Sequence, residues 1–147
     1  MSHDANASEA TDPVVAILQH CRTIAVVGLS PDPSRVSFGV SQYMQAAGYR
    51  IVPVNPNATS VLGETCYASL SEAAQHETID LVNCFRRSED IEPIAGEAMA
   101  IGAKAVWMQL GVVNDSAATK LRAAGVQVVQ DRCLKIEHRM AKARGLL

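Results

Sequence analysis

The sequence predicts a doubly wound α/β domain, in which helices cover both faces of a parallel sheet. Short β-branched runs alternate with helical patterns along the chain. Several runs are continuously apolar, which is typical of strands buried on both faces of a parallel sheet. The chain has 147 residues, of which 48% are hydrophobic and 19% charged, so one packed domain is expected. Six strands joined by right-handed crossovers are predicted.

The first part of the chain supplies a polar tail, a short helix and the first strand. Residues 1–12 are small and polar, which predicts a mobile N-terminal tail and a domain spanning 13–147. Pro13 can open a short helix because its fixed backbone angle suits the first turn. The run 23–27 is continuously apolar and ends at Gly28, which predicts the first strand.

A helix and two further strands are predicted next. Apolar residues recur at helical spacing from Val36 to Ala47, and Gly48 is placed to end this helix. Residues 49–54 form the second predicted strand. Pro53 cannot donate to a ladder, so the strand should end there or leave that position unpaired. Residues 62–67 predict a third, short strand, followed by a weak helix opening at Ser71.

The second half of the chain repeats the alternation of strand and helix. A helix begins at Ser88 with acidic residues in its first turn, and another is capped by Asn114 and ended by Gly125. A basic helix follows Arg132, and its charges are expected to form a solvated face rather than bind an acidic partner. The remaining strands are predicted at 79–85, 104–108 and 126–129.

Composition excludes several classes of function. A formal charge of -2 and 4% aromatic residues argue against phosphate neutralisation or base stacking along a nucleic acid. No apolar run approaches the roughly 20 residues that span a bilayer, and the first residues lack the basic and apolar regions of a secretory signal. We therefore expect a cytoplasmic protein with neither nucleic-acid nor membrane partners. The residues do not identify a protein partner.

The four cysteines and four histidines are scattered along the chain. No two cysteines form a CxxC pair, so the spacing predicts neither a disulfide framework nor a metal site. We expect free thiols used as small apolar side chains. Cys84 and Cys133 lie near predicted strand ends, where a mixed disulfide with a ligand thiol is the alternative to two inert buried thiols.

The loops after the strands are the candidate ligand site, because open α/β sheets bind ligands beyond the carboxyl ends of their strands. In the first loop, Gly28 permits a tight turn, and Ser30, Ser34 and Arg35 precede a helix. Free N–H groups at that helix start and the Arg35 cation suit a pyrophosphate. The loop is not GxGxxG, since Ser30 and Pro33 replace glycines, so an ordinary strand–helix turn stays open.

The end of the second strand lacks the acidic residue that holds the ribose in NAD sites. No Asp or Glu lies between Asp32 and Glu64, and the expected position carries Val54, Asn55 and Pro56. A carboxylate there would repel a ribose phosphate, whereas an amide N–H can donate a hydrogen bond to one. The segment therefore suits a phosphorylated adenosine, with a plain Pro/Asn turn as the alternative.

Two later loops add polar groups to the same edge. Arg86 and Arg87 stand directly before a helix start, either as ligand cations or as a solvated pair. Residues 109–111 supply an amide and a flexible backbone after the fifth strand, without an evident nucleophile or base.

Taken in order, these segments resemble a known family. The motifs that carry the likeness are Gly28-Leu29-Ser30, Pro33-Ser34-Arg35, Pro53-Val54-Asn55-Pro56, Leu62-Gly63, Cys84-Phe85-Arg86, Val106-Trp107-Met108-Gln109-Leu110-Gly111 and Asp131-Arg132-Cys133. Over roughly residues 14 to 140 the chain resembles the stand-alone CoA-binding proteins. These proteins are similar to the N-terminal domain of the succinyl-CoA synthetase alpha subunit.

The resemblance implies a Rossmann-like domain that binds coenzyme A. It implies phosphate contacts by Ser30, Ser34 and Arg35, and it places 54–56 at the adenosine 3'-phosphate, where the synthetase carries lysine. Residues 109–111 would lie towards the pantetheine arm. The full set of implied ligand-binding residues is Gly28, Leu29, Ser30, Ser34, Arg35, Val54, Asn55, Pro56, Phe85, Arg86, Gln109, Leu110 and Gly111.

No arrangement of nucleophile and base can be argued from spacing, and no histidine lies in a strand-end loop. We therefore expect a non-catalytic module that carries, senses or regulates through CoA or an acyl-CoA. The alternatives are an NAD(P)-dependent oxidoreductase, one component of an acyl-CoA ligase that needs a partner chain, and an interaction protein that has lost its ligand.

Overall fold

A five-stranded parallel sheet forms the centre of the molecule. The computed structural model describes residues 12–147, so most of the predicted N-terminal tail lies outside the described residues. The strand order is β2-β1-β5-β6-β7, and every neighbouring pair is parallel. The strands are β1 (Thr23–Val27), β2 (Arg50–Val54), β5 (Leu81–Cys84), β6 (Ala105–Met108) and β7 (Gln127–Val129). The chain winds outward from β1 to β2, then returns to β5 and winds the other way, so the doubly wound α/β prediction is confirmed.

Helices cover both faces of this sheet, and each face has its own apolar core. On one face, α3 (Leu70–Ala73), α4 (Ile91–Ala100) and α5 (Asp115–Ala123) pack on alternate strand residues such as Val82 and Val106. On the other face, α1 (Val14–His20), α2 (Val36–Ala46) and α6 (Leu134–Ala143) pack on Ile24 and Trp107. Burial on both faces explains why the strands read as continuous apolar runs.

The predicted third strand of the sheet is wrong. Residues 60–65 instead form a separate antiparallel hairpin of β3 (Ser60–Val61) and β4 (Glu64–Thr65). Leu62 and Gly63 form its turn with φ of 55° and 76°, and two such residues turn a chain back on itself within two positions. After the hairpin, Tyr67 pairs with the sheet through a parallel bridge to Val54.

Pro53 lies inside β2, aligned with Val26 of β1. Its carbonyl oxygen accepts from the Tyr67 N–H at 3.0 Å, on the side away from β1. The proline nitrogen faces the same outer side, so its missing donor costs the β1–β2 ladder nothing. The strand therefore continues through Pro53, and this residue makes no ladder hydrogen bond to β1, which is the second of the two predicted possibilities.

Side chains fix several helix starts, not all of them where the sequence predicted. Asn114 caps α5 by accepting from the Ala117 N–H at 2.9 Å, as predicted. Ser69 caps α3 by accepting from Glu72, so α3 begins at Leu70 rather than Ser71. A 3₁₀ turn (Ser88–Asp90) precedes α4 where one continuous helix was predicted.

Asp80 joins three strands at the end of the sheet opposite the candidate site. Its Oδ2 accepts from the backbone N–H groups of Arg22 and Thr23 at 2.8 and 3.0 Å, and Oδ1 lies 3.4 Å from the Lys104 ammonium. Burial favours a higher pKa for Asp80, but these N–H groups and Lys104 outweigh burial and hold the pKa below its usual value.

In residues 12–147, no helix is both long and apolar enough to cross a membrane.

Candidate ligand-binding cleft

A cleft of about 950 Å³ lies at the carboxyl ends of β1, β5 and β6. This is the point where the winding of the sheet reverses, and α/β sheets bind ligands there. Four segments form the walls: the loop after β1 with the start of α2, the residues after β5, the loop after β6, and the first turn of α6. The lining residues are Gly28, Ser30, Ser34, Arg35, Val36, Ser37, Phe85, Arg86, Arg87, Asp90, Gln109, Leu110, Val112, Cys133 and Ile136.

Gly28, directly after β1, packs closely against Phe85, directly after β5, at the floor of the cleft. Its φ is +88°, and a Cβ there would lie 2.3 Å from the carbonyl oxygen of Phe85. The Gly28 N–H donates to Val54 at 2.8 Å, which fixes the glycine between two strands. Arg86 lies directly over it, with Nε 3.4 Å from the position of that Cβ. Glycine is therefore required at this position by both backbone angle and space.

The serines of the first loop are held by hydrogen bonds within the loop. Ser34 donates its backbone N–H and its Oγ to Asp32 Oδ1 at 2.9 and 2.8 Å, and Asp32 donates its N–H to Ser30 Oγ. The hydrogen bonds from Ser34, backbone first, lower the pKa of Asp32. Ser30 N–H donates to Ser37 Oγ at 3.0 Å. Ser37 is a lining residue that the sequence analysis missed, although a serine in the first turn of a helix is a recognisable signal.

Two arginines at the cleft have no ion pair among residues 12–147. Arg35 is exposed and Arg86 half-buried, and neither has a carboxylate within 4.0 Å there. Arg87 differs, because its guanidinium pairs with Asp90 at 3.1 Å and with Glu89 at 3.9 Å. Arg87 and Asp90 are three residues apart in the sequence, and this spacing is typical of an ion pair that neutralises the arginine. Within the described part of the chain, the cleft therefore presents two cations without an ion pair rather than three.

The first backbone N–H groups of α2 are hydrogen-bond donors beside these cations. Arg35 is its N-cap residue, and no side chain caps the helix. The Phe38 and Gly39 N–H groups both donate to the Arg35 carbonyl. The first N–H groups of an uncapped helix lack partners inside the helix, and the helix dipole favours an anion there. Together with Arg35 and Arg86, this end of the cleft is electropositive.

Five of the residues predicted for the site do not line the cleft. The Leu29 and Val54 side chains are buried in the core. Asn55 donates its side-chain amide to the Leu29 carbonyl at 2.9 Å and accepts from the Asn57 N–H, so it ties the second loop to the first. Pro56 is exposed beside it, and the Gly111 N–H donates to Asp131 Oδ1 at 2.7 Å. Contacts from 54–56 to an adenosine 3'-phosphate stay a prediction.

The far wall of the cleft is built by the first turn of α6, which follows the predicted candidate loop at 130–133. Gln109 is 3% exposed, and its Oε1 accepts from the Leu134 N–H at 3.0 Å, which caps α6. Trp107 Nε1 donates to the Arg132 carbonyl at 2.8 Å. These bonds bring Cys133, which was predicted to lie near a strand end, and Ile136, which was not predicted for the site, to the cleft.

The cysteines differ in accessibility. Burial raises the pKa of Cys84 to about 12 and, with Asp80, that of Cys21 to about 11. Cys66 is also buried. Cys133 is half-buried and lines the cleft. Cys84 is therefore the inert buried thiol that was expected, whereas Cys133 is open to the cleft.

Relatives of the chain are found in bacteria. A sequence model of the family described as a CoA binding domain matches residues 22–139. The chain is 44% identical over 126 residues to the protein YneT of Bacillus subtilis (strain 168). The aligned residues make up 86% of this chain and 92% of YneT.

Solved structures share the same architecture. A hypothetical protein from Pyrococcus horikoshii OT3 superposes with a TM-score of 0.83 at 34% identity, covering 88% of this chain and 90% of that chain. A Thermus thermophilus protein gives 0.80 at 36% identity, covering 85% and 93%. A dinucleotide forming acetyl-coenzyme A synthetase of Ca. Korarchaeum cryptofilum superposes with a TM-score of 0.68 at 20% identity, and the superposition covers 26% of that enzyme. This likeness shows a shared fold alone. The match over residues 22–139 and the identity to YneT place this chain in the CoA binding domain family.

Proposed function

We propose that the cleft binds coenzyme A or an acyl-CoA, with the phosphates held at the first loop. The observation that carries this proposal is that Arg35 and Arg86, which form no ion pair within residues 12–147, lie beside the uncapped start of α2. Charge-assisted contacts from arginine and from helix N–H groups are the usual means of binding a pyrophosphate. Membership of the CoA binding domain family supplies the ligand class.

The residues present fit such a ligand. Gly28 leaves room for the Phe85 carbonyl and the Arg86 side chain beside the end of β1, which supports a phosphate-binding role for the Arg86 cation at the floor of the cleft. The position of the NAD-type acidic residue is occupied by Asn55, whose amide is engaged with Leu29. An adenosine 3'-phosphate therefore meets no carboxylate on this loop, which supports CoA over NAD.

We further propose that the chain is a carrier, sensor or regulatory module. In residues 12–147 the cleft lining contains no histidine, and its serines bond to Asp32 or to one another rather than to a base. His138 is buried behind the cleft, where it bonds to Tyr43 at 2.9 Å, and burial, aided by Lys142, lowers its pKa. Asp90 and Cys133 also line the cleft, but Asp90 is paired with Arg87 at 3.1 Å, and a positioned acid or base must be free to exchange a proton with the ligand.

A second candidate is one component of an acyl-CoA ligase that works with a partner chain. The structural likeness to the Korarchaeum synthetase favours it, because this chain corresponds to about a quarter of that enzyme. A ligase component binds CoA through the same cleft but requires the partner for turnover.

Isothermal titration of the purified chain with CoA, dephospho-CoA and NAD tests the proposal. We expect CoA to bind most tightly, with a loss on removing the 3'-phosphate and little or no binding of NAD. A preference for NAD would overturn the proposal. Turnover of an acyl-CoA by the chain alone would overturn the non-catalytic role.

Variants of the cationic end sharpen the same test. Arg35→Ala should weaken CoA by about 1.5–3 kcal/mol, the value of a hydrogen bond to a charged group. Arg139→Ala is the matched control, because Arg139 is an exposed arginine of α6 outside the cleft. Equal affinity in all three proteins would show that Arg35 is a solvated surface cation.

A further inference from the structure

We propose that the ligand of this cleft is a CoA thioester with an apolar acyl group, rather than the free thiol. The proposal rests on the proposed function and names the substrate class of the same cleft. It is carried by the apolar half of the cleft, where the exposed Leu110 and Ile136 flank the buried Val112 at the loop after β6 and the first turn of α6.

Exposed apolar side chains are concentrated at this cleft. Among residues 12–147, six large hydrophobic side chains are exposed; Leu110 at 68% and Ile136 at 47% lie in this apolar half, and Val36 at 71% lines the cleft at the start of α2. They come from three separate elements that the fold brings together. Single exposed apolar residues need no explanation, but a cluster in a concave site marks a place where apolar surface is buried on binding.

The two halves of the cleft differ in chemistry along one direction. The half at β1 and β5 carries Arg35, Arg86 and the uncapped start of α2. The half at β6 and α6 carries Leu110, Val112 and Ile136 and no charged lining residue in the described chain. An acyl-CoA has the same polarity, with phosphates at one end and the acyl group at the other. Charge complementarity therefore directs the thioester end towards the apolar half.

Hydrogen bonds hold the apolar half in place before any ligand binds. Gln109 Oε1 accepts from the Leu134 N–H, and the Gly111 N–H donates to Asp131 Oδ1 at 2.7 Å. These two bonds lie on either side of Leu110 and fasten its loop to the segment that leads into α6. A preformed apolar wall favours binding because less conformational entropy is lost.

The experiment measures how affinity depends on acyl length. Titration calorimetry of the full chain with CoA, acetyl-, butyryl-, hexanoyl- and octanoyl-CoA should show affinity rising about two- to fourfold per added methylene, as expected for its burial. Leu110→Ser and Ile136→Ser should each reduce the ratio of hexanoyl-CoA to CoA affinity. Met140→Ser is the control, because Met140 is 50% exposed on the same helix but outside the cleft, and it should leave the ratio unchanged.

The outcomes separate this inference from the proposed function. If CoA binds and the affinity is the same within twofold for every acyl length, the thioester inference is wrong and the proposed function stands. If neither CoA nor any thioester binds, the proposed function itself is wrong. Light scattering covers the competing occupant: a dimer that Leu110→Ser and Ile136→Ser convert to monomer would make the apolar half a contact between two copies of the chain, and would overturn the inference.

Discussion

Replacing Gly28 by alanine tests the close approach of β1 and β5 beneath the cleft. The new Cβ would lie 2.3 Å from the Phe85 carbonyl oxygen and 3.1 Å from its carbon. Both atoms belong to the backbone, so no side chain can rotate away. The strands would have to separate, although Phe85 N–H donates to Val27 and Gly28 N–H donates to Val54, each at 2.8 Å.

Two costs add at this position. A non-glycine residue in the left-handed region costs about 1–2 kcal/mol, and overpacking costs about 1–3 kcal/mol more. Gly28→Ala should therefore lower the free energy of unfolding by about 2–5 kcal/mol. Gly125→Ala is the matched control, because Gly125 has a φ of +83° and no atom within 4 Å of its added Cβ. It should lose only the backbone cost.

Urea unfolding followed by the fluorescence of Trp107 measures both variants. Trp107 is the single tryptophan and is fully buried, so its emission reports global unfolding. With a slope of about 2 kcal/mol/M, the Gly28→Ala midpoint should fall about 0.5–1.5 M below that of Gly125→Ala. Equal losses in the two variants would refute the steric argument and leave only the backbone angle.

Three further predictions concern the core, the acid stability and the thiols. Asn83 is 1% exposed on β5, and neither of its side-chain polar atoms has a hydrogen-bond partner among the described residues. Asn83→Leu should therefore raise the free energy of unfolding, measured in urea, by about 1–3 kcal/mol. A lower free energy of unfolding would mean that the amide is hydrogen-bonded. The pKa of Asp80 is lowered by folding, so its contribution is present above the unfolded pKa near 4 and is lost as pH falls through the folded value. Asp80→Asn should therefore cost about 1–2 kcal/mol at pH 7, and its stability curve should converge with that of the parent protein in acid; a constant gap down to pH 2 would contradict this. Finally, one thiol of the folded chain should react rapidly with a disulfide reagent, Cys133→Ser should abolish that reaction, and CoA should slow it; rapid reaction of Cys84 would contradict the burial described above.

Local patterns in the sequence were sufficient for most of the fold. The continuous apolar runs predicted the five strands of the sheet because a parallel sheet buries both faces of each strand. Asn114 was recognisable as a cap for the same kind of reason, since its role depends only on the residues that follow it. The hairpin at 60–65 was missed because Leu62 occupies a backbone region that its residue type rarely adopts.

Most of the cleft lining was predictable because it follows directly after strands. Gly28, Arg35 and Arg86 follow strands directly, so the topology rule for α/β sheets locates them. Cys133 follows β7 and was located by the same rule, whereas Ile136 reaches the cleft because Gln109 and Trp107 fasten the start of α6 to the end of β6. Such contacts join residues about 25 positions apart, and no pattern within either segment encodes them.

The proline of β2 also bears on self-association. Residues 51–54 are apolar and lie on a boundary strand of the sheet, the type of segment that templates pairing with another chain and leads to aggregation. Pro53 offers no donor on the exposed side, and its carbonyl is already occupied by Tyr67. A neighbouring molecule therefore finds an interrupted ladder there, and growth by strand addition is blocked at this boundary.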